Sequence, residues 1–206
     1  MSICNVHVER ERVLIAVDTK SLAVGPDGER TWFHGDKAGV QGEVVIAGTG
    51  NLDLITYILL QLRAEHGRKP AYIVLRRLVS YCEAASTRFK TEKGPPPAGL
   101  FSSAESAAET VIVAAGFDET KGRCRAVVAS LKDEAWSVEE IPSTMHSPGI
   151  YAAAPPMGTR SEMQEVARDQ VAKMLERYPN APIGGDLIFY EVRPQQIHIL
   201  RVGGLE

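Results

Sequence analysis

Strand-forming segments follow one another in runs along this chain instead of alternating one by one with helices. Residues 13–17 and 43–47 are continuous and rich in β-branched side chains, and residues 6–8 alternate between apolar and polar. Runs of strands followed by runs of helices are typical of α+β proteins and unlike a doubly wound parallel sheet. The later strand patterns lie at 110–115, 125–129, 136–138, 187–190 and 197–200.

Three helices are predicted between these runs. Apolar side chains recur at helical spacing over 52–66, where Asn51 is a plausible cap, and a second amphipathic segment follows Pro70. A third helix is predicted from a capping box formed by Ser161 and Gln164. Two helices on one sheet face and one on another predict a layered sandwich.

A Gly/Pro-rich stretch interrupts the pattern at about 86–109 and predicts a long surface loop. The chain has 206 residues, of which 44% are hydrophobic, enough for one domain with a substantial core. We therefore expect a single domain over 1–206 that carries this loop.

Composition argues against several classes of protein. The formal net charge is −3 without a basic stripe, so a nucleic-acid partner is not expected. No apolar run reaches the length of a membrane-spanning helix. The first residues lack the apolar core of a secretory signal, so we expect a cytoplasmic protein.

Cysteine and histidine residues are scattered singly. The three cysteines form no C-x-x-C pair, and the five histidines are not grouped at ligand spacing. Each cysteine is better interpreted as a small buried apolar residue. No metal site and no cofactor are expected.

Four short motifs resemble one family in their order and spacing. Ser2 is followed at the family's distance by Ala16-Val17-Asp18, and then by Ala47-Gly48. Ser147-Pro148-Gly149-Ile150-Tyr151-Ala152 and Ile183-Gly184-Gly185-Asp186 follow further on. Together they resemble proteasome β-subunits and related bacterial peptidases, which are N-terminal nucleophile hydrolases. The resemblance implies a four-layer αββα sandwich, a peptide or amide substrate, and self-association into a ring-like homo-oligomer.

The resemblance also implies a chemistry. Ser2 would become the first residue after removal of Met1, and its α-amino group, with a reference pKa of about 7.7–8, could act as base. Ser2 Oγ would attack a carbonyl carbon, and the Gly48 N–H would stabilise the resulting oxyanion. Asp18 would support a cation beside the nucleophile.

Some positions depart from the family pattern. The family lysine that pairs with the aspartate falls on His34 in the ungapped register, and Lys37 takes this role only if the following loop is shortened. Asn180 stands where the family has a second aspartate, and Ile183 where it has a serine, so that Ser147 alone remains of that second group. Asn180 accepts hydrogen bonds but supplies no charge.

Three functions remain open at this level. The first is a peptide or amide hydrolase that uses Ser2. The second is a catalytically degenerate homologue that acts as an oligomeric structural or binding protein. The third is an unrelated α+β enzyme or binding module; here Gly48-Thr49-Gly50 is a weak dinucleotide-loop candidate, since Asp53 stands where a third glycine is needed.

Overall fold

The computed structural model describes residues 2–24, 29–66, 69–93 and 110–205. These residues contain twelve strands and three helices. The strands are β1 Cys4–Val8, β2 Val13–Asp18, β3 Lys20–Val24, β4 Arg30–His34, β5 Ala38–Gln41, β6 Val44–Thr49, β7 Thr110–Asp118, β8 Arg123–Lys132, β9 Ala135–Glu140, β10 Thr144–Met145, β11 Leu187–Arg193 and β12 Gln196–Val202. The helices are α1 Leu52–His66, α2 Ala71–Lys93 and α3 Arg160–Arg177.

The strands form three antiparallel sheets. The first sheet has the order β10-β1-β2-β11-β12, and the second has the order β5-β6-β7-β8-β9. Among the described residues, strands β3 and β4 pair with each other and with no other strand, and form a two-stranded ribbon. Every strand pair in the described part of the chain is antiparallel.

The predicted four-layer αββα sandwich is wrong for this molecule. The described residues form three sheets, with 39% of them in strands and 30% in three helices, so antiparallel sheet dominates the architecture. The β-branched and aromatic segment around Trp32 forms β4, which lies in the separate ribbon. Trp32 and Phe33 are 42% and 39% exposed there, because the ribbon joins neither five-stranded sheet.

Strand alternation divides the side chains of each large sheet between two sets of contacts. In the first sheet Val13, Ile15 and Val17 belong to one buried cluster, whereas Leu14 and Ala16 belong to another. The cluster of Ile15 also contains second-sheet residues, among them Val45 and Val113, and therefore joins the two sheets. This core fixes the ends of β2 and β6 relative to each other.

Helices α1 and α2 pack on the second sheet. Ile55, Ile58 and Leu62 of α1 share a buried cluster with Ile46 of β6. The helix begins as predicted, because Asn51 Oδ1 accepts a hydrogen bond from the Leu54 N–H at 3.1 Å.

The first part of the segment predicted as a loop is helical. Residues 86–93 belong to helix α2, whose stripe of buried side chains continues through Ala85. Residues 94–109 lie outside the described part of the chain. Helix α2 thus includes residues 86–93, which were predicted to belong to the loop.

Helix α3 packs on the first sheet and has a capping box two residues before the predicted one. Thr159 is the N-cap in an extended conformation, and its Oγ1 accepts the Glu162 N–H at 3.2 Å. Glu162 Oε2 in turn accepts the Thr159 N–H at 2.9 Å. Thr159 and Glu162 have the same spacing as Ser161 and Gln164, so the motif alone could not select the register.

Arg125 links three strands of the second sheet. Its guanidinium binds Asp118 of β7 at 2.6 Å and Glu140 of β9 at 2.7 Å. The hydrogen bond from Arg125 lowers the pKa of Glu140 below its ordinary 4.5. The pKa of Asp118 lies below 3.8, because hydrogen bonds from Thr120 and Arg125 outweigh the opposing effect of burial.

Arg125→Met should reduce the loss of unfolding free energy that occurs when the pH falls from 7 to 3. Carboxylates with lowered pKa values stabilise the fold above their unfolded values of 3.8 and 4.5, and this contribution is lost as the pH falls through their folded values. Urea denaturation at pH 3, 4, 5 and 7 should give a smaller drop for Arg125→Met than for the wild type. Arg168→Met, at an exposed position on α3, is the control and should keep the wild-type slope. Equal slopes for all three proteins would contradict the assignment.

Candidate functional site

Ser2 lies at the start of the first sheet, beside the end of β2. Strand β1 pairs with β2 in a register that sets Cys4 opposite Val17, so the residues before Cys4 reach Asp18. Ser2 is 5% exposed, and its backbone oxygen accepts a hydrogen bond from Thr49 Oγ1 at 3.3 Å. The position is therefore held from β6 as well as from β1. Met1 lies outside the described residues, so its removal stays a prediction.

Asp18 is a buried carboxylate with three donors around it. Its Oδ1 accepts the Ile3 N–H at 2.9 Å and the Lys37 ammonium at 2.8 Å. Its Oδ2 accepts the Gly184 N–H at 3.0 Å. Asp18 thus connects the peptide bond that follows Ser2, the lysine and the glycine pair before β11.

Lys37 is the cation that pairs with Asp18. Its side chain is 3% exposed, and Nζ also donates to the Lys20 backbone oxygen at 2.5 Å. Burial lowers the pKa of Lys37 from its ordinary 10.5, although the neighbouring Asp18 acts in the opposite direction. Burial likewise raises the pKa of Asp18. Burial therefore disfavours the charged forms of both side chains, so that Lys37 loses its proton more readily than a lysine in water.

His34 does not bond to Asp18 but to the residue next to it. The ring Nδ1 lies 2.8 Å from Thr19 Oγ1, which also accepts the Asp186 N–H at 3.1 Å. His34 is exposed at the end of the ribbon. Lys37 and His34 were the two candidates for the family lysine. Lys37 forms the ion pair with Asp18, whereas His34 contacts the neighbouring Thr19.

Gly48 lies on β6 with its N–H already bonded. It donates to the backbone oxygen of Lys37, the residue before β5, at 2.8 Å. A Cβ at this position would lie 2.8 Å from Ile55 Cγ2 and 3.1 Å from Ile112 Cδ1. The glycine is thus required by the close approach of β6 to α1, and its N–H is directed at the backbone of Lys37.

Gly48→Ala is expected to destabilise the protein by about 1–3 kcal/mol, since the added methyl group overpacks the contact with Ile55. Chemical denaturation measures this directly. Gly39→Ala is the matched control, because a Cβ there meets its nearest atom only at 3.8 Å. A cost no larger for Gly48→Ala than for Gly39→Ala would show that β6 can move away from α1.

Ser147 lies against β1 near the candidate nucleophile. Its N–H donates to the Cys4 oxygen at 3.1 Å, and its oxygen accepts the Cys4 N–H at 3.0 Å. This reciprocal exchange joins Ser147 to the residue two places after Ser2. Burial raises the pKa of the Cys4 thiol to about 12, so Cys4 stays protonated and is a poor nucleophile.

Asn180 lies in the exposed turn after α3. Within the described part of the chain, the donors to Asp18 are Ile3, Lys37 and Gly184, not Asn180. The structure therefore pairs Asp18 with Lys37, bonds the Gly48 N–H to the Lys37 backbone, and bonds Ser147 to Cys4, two residues after Ser2. Asn180 lies at the surface.

Two residues of the site were not singled out from the sequence for the roles they have. Thr49 was considered only as part of a dinucleotide-loop candidate, although its hydroxyl bonds to the Ser2 backbone oxygen. Gly184 was considered only as part of a motif, although its N–H bonds to Asp18 and its φ is +117°. A glycine pair directly before a strand was the available signal, since positive φ favours glycine.

The described residues offer neither a metal centre nor a membrane span. No group of three His, Cys, Asp or Glu side chains in ranges 2–24, 29–66, 69–93 and 110–205 is arranged to hold a metal ion. No helix among them is long and apolar enough to cross a membrane. Neither the known protein-family models nor the curated proteins include a match to this chain.

Proposed function

We propose that this chain is an N-terminal nucleophile hydrolase that cleaves peptide or amide bonds with Ser2 after removal of Met1. One observation carries the proposal: Asp18 Oδ1 binds both the Lys37 ammonium and the Ile3 N–H, at 2.8 and 2.9 Å. A buried amine thus lies next to the peptide bond that Ser2 makes. If Lys37 and Asp18 served only to stabilise the fold, position 2 would not need a small residue with a hydroxyl group.

The proposed reaction has two steps. Ser2 Oγ attacks the scissile carbonyl carbon and gives its proton to the free α-amino group of Ser2, while the nearby Lys37–Asp18 pair sets the local electrostatics. The C–N bond then breaks, and the leaving amine takes up that proton. Water hydrolyses the acyl ester on Ser2 and restores the hydroxyl group.

A fluorophosphonate probe tests this proposal. An activated serine forms an O–P bond with the probe, the P–F bond breaks, and fluoride leaves while the serine proton passes to the base. Intact mass first establishes whether Met1 is absent, and peptide mapping then locates the adduct. An adduct on Ser2 in the Met1-free protein is expected. Absence of labelling in that protein, or an adduct on another serine, argues against the proposal.

A second candidate is a catalytically degenerate homologue that acts as an oligomeric structural or binding protein. The observation that favours it is the Gly48 N–H, which donates to Lys37 at 2.8 Å and so is not directed at a substrate oxygen. Retention of Met1 together with absence of labelling would favour this candidate.

The assembly and compartment follow from the same proposal. We expect self-association into a ring-like homo-oligomer in the cytoplasm, without nucleic-acid or membrane partners. Native mass spectrometry of the untagged protein measures the number of subunits, and a monomer at micromolar concentration would contradict the ring.

A further inference from the structure

Gln170 is a fully buried polar residue on the apolar face of α3. Its side chain has no exposed surface, and it lies among the buried apolar residues of the helix. An amide at such a position costs free energy unless every polar atom is hydrogen-bonded. The apolar neighbours on this face are Met163, Val166, Ala167, Val171 and Met174.

The amide of Gln170 is satisfied by two partners from distant parts of the chain. Its Oε1 accepts from Asn5 Nδ2 at 2.7 Å, and its Nε2 donates to Asn5 Oδ1 at 3.2 Å. Nε2 also donates to the Pro148 backbone oxygen at 3.2 Å. Both N–H groups of the amide are used, one on β1 and one on the segment that follows Ser147.

These bonds are adjacent to the contacts that define the site. Asn5 follows Cys4, whose backbone exchanges two hydrogen bonds with Ser147 at 3.0 and 3.1 Å. Asn5 is itself completely buried. Gln170 therefore ties together the strand that begins at Ser2 and the segment that carries Ser147.

We propose that Gln170 is a positioning residue, which acts through Asn5 and Pro148 to hold Ser147 in register with the strand that carries Ser2. The inference rests on the proposed function and assigns it a residue that the motifs did not indicate. The geometry explains why this buried position holds an amide side chain. The side chain must donate two hydrogen bonds and accept one, which an apolar residue cannot do.

Misplacement of a reacting group by about 1 Å can cost on the order of 100-fold in rate. Gln170→Leu removes all three hydrogen bonds at nearly unchanged volume. We expect the limiting rate constant for fluorophosphonate labelling of Ser2 to fall about 10- to 100-fold, while the half-saturating probe concentration stays within about twofold. Backbone amide exchange at Cys4 and Ser147 should become faster, which measures the positioning without reference to activity.

Two control variants separate positioning from loss of stability. Val171→Ala creates a small cavity on the same buried face and keeps the amide of Gln170, so its labelling rate should match the wild type in conditions where it is folded. Asn5→Leu combined with Gln170→Leu restores apolar packing but leaves Pro148 without the donor. This double variant should regain stability and remain slow.

The outcomes distinguish this inference from the proposed function. If Gln170→Leu labels at the wild-type rate while Ser2→Ala is not labelled, the positioning role fails and the hydrolase proposal stands. If the wild type shows no Ser2-dependent labelling, the proposed function fails, and the role of Gln170 in positioning groups for that reaction fails with it. If amide exchange at Cys4 and Ser147 is unchanged in Gln170→Leu, the hydrogen-bond link is not what holds the segment.

Discussion

Ser2→Ala is expected to reduce peptide hydrolysis by at least about a thousandfold and to abolish fluorophosphonate labelling. Removal of a nucleophile leaves only the rate enhancement from substrate binding and electrostatics. The fold should persist, because Ser2 contacts β6 through its backbone oxygen, which alanine keeps. Hydrolysis of a mixed fluorogenic peptide library and a thermal melt on the same sample measure both quantities.

Two variants make this experiment specific to position 2. Ser2→Thr keeps a hydroxyl group and a small second residue, so it should retain labelling, although its extra methyl group meets a buried site. Ser80→Ala changes an exposed serine on α2 and should behave as the wild type. Residual activity of Ser2→Ala above one tenth of the wild type would assign the hydrolysis to a different group or to a contaminant.

Local sequence patterns predicted the parts of the fold that depend on short-range interactions. The bounds of α1 were predicted from apolar residues at helical spacing and from the Asn51 cap. Both signals depend on residues that are at most four positions apart in the sequence. The capping box of α3 was displaced because two overlapping motifs satisfy the same local rule. The sandwich prediction failed at β3 and β4, because nothing local distinguishes a strand of a large sheet from a strand of an isolated ribbon.

The candidate site residues came from the motif resemblance, and the choice among them was left open where two distant segments had to meet. Asp18, which the resemblance indicated, accepts the Ile3 N–H because the register of β1 and β2 sets that residue beside it. The choice between His34 and Lys37 depends on how the chain returns from the ribbon to β5, which no periodicity encodes. Gln170 was overlooked because its partner Asn5 lies 165 residues away and its own helix looks amphipathic without it.

Loss of the Lys37 charge is expected to be the most destabilising single change near the site. Lys37→Met leaves Asp18 as a buried carboxylate without its cation, and breaking such a pair typically costs about 3–5 kcal/mol. Lys173→Met is the matched control: Lys173 and its partner Asp169 are about half exposed, and their (i, i+4) pair contributes only about 0.3–0.5 kcal/mol. Urea denaturation at pH 7 should separate the two variants clearly.

The pH dependence identifies the cause of this loss. Burial raises the pKa of Asp18 above 3.8 in the folded protein, and removal of the lysine raises it further. A raised carboxylate pKa means that the folded state holds its proton longer, so stability falls as pH rises from 3.8 through the folded value. The free energy of unfolding of Lys37→Met should therefore approach the wild-type value at about pH 4 and fall below it toward pH 7.

A second substitution tests whether the pair, and not the volume of the lysine, accounts for the effect. Asp18→Asn combined with Lys37→Met removes both charges and keeps an oxygen that can accept the Ile3 N–H. The double variant should recover most of the lost stability at pH 7, because no unpaired charge stays buried. If it is no more stable than Lys37→Met, the lysine stem fills space that methionine cannot, and lost packing, not the broken ion pair, causes the destabilisation. Recovered stability with abolished labelling would mean that the charged pair is retained for the chemistry at Ser2 and not for the fold.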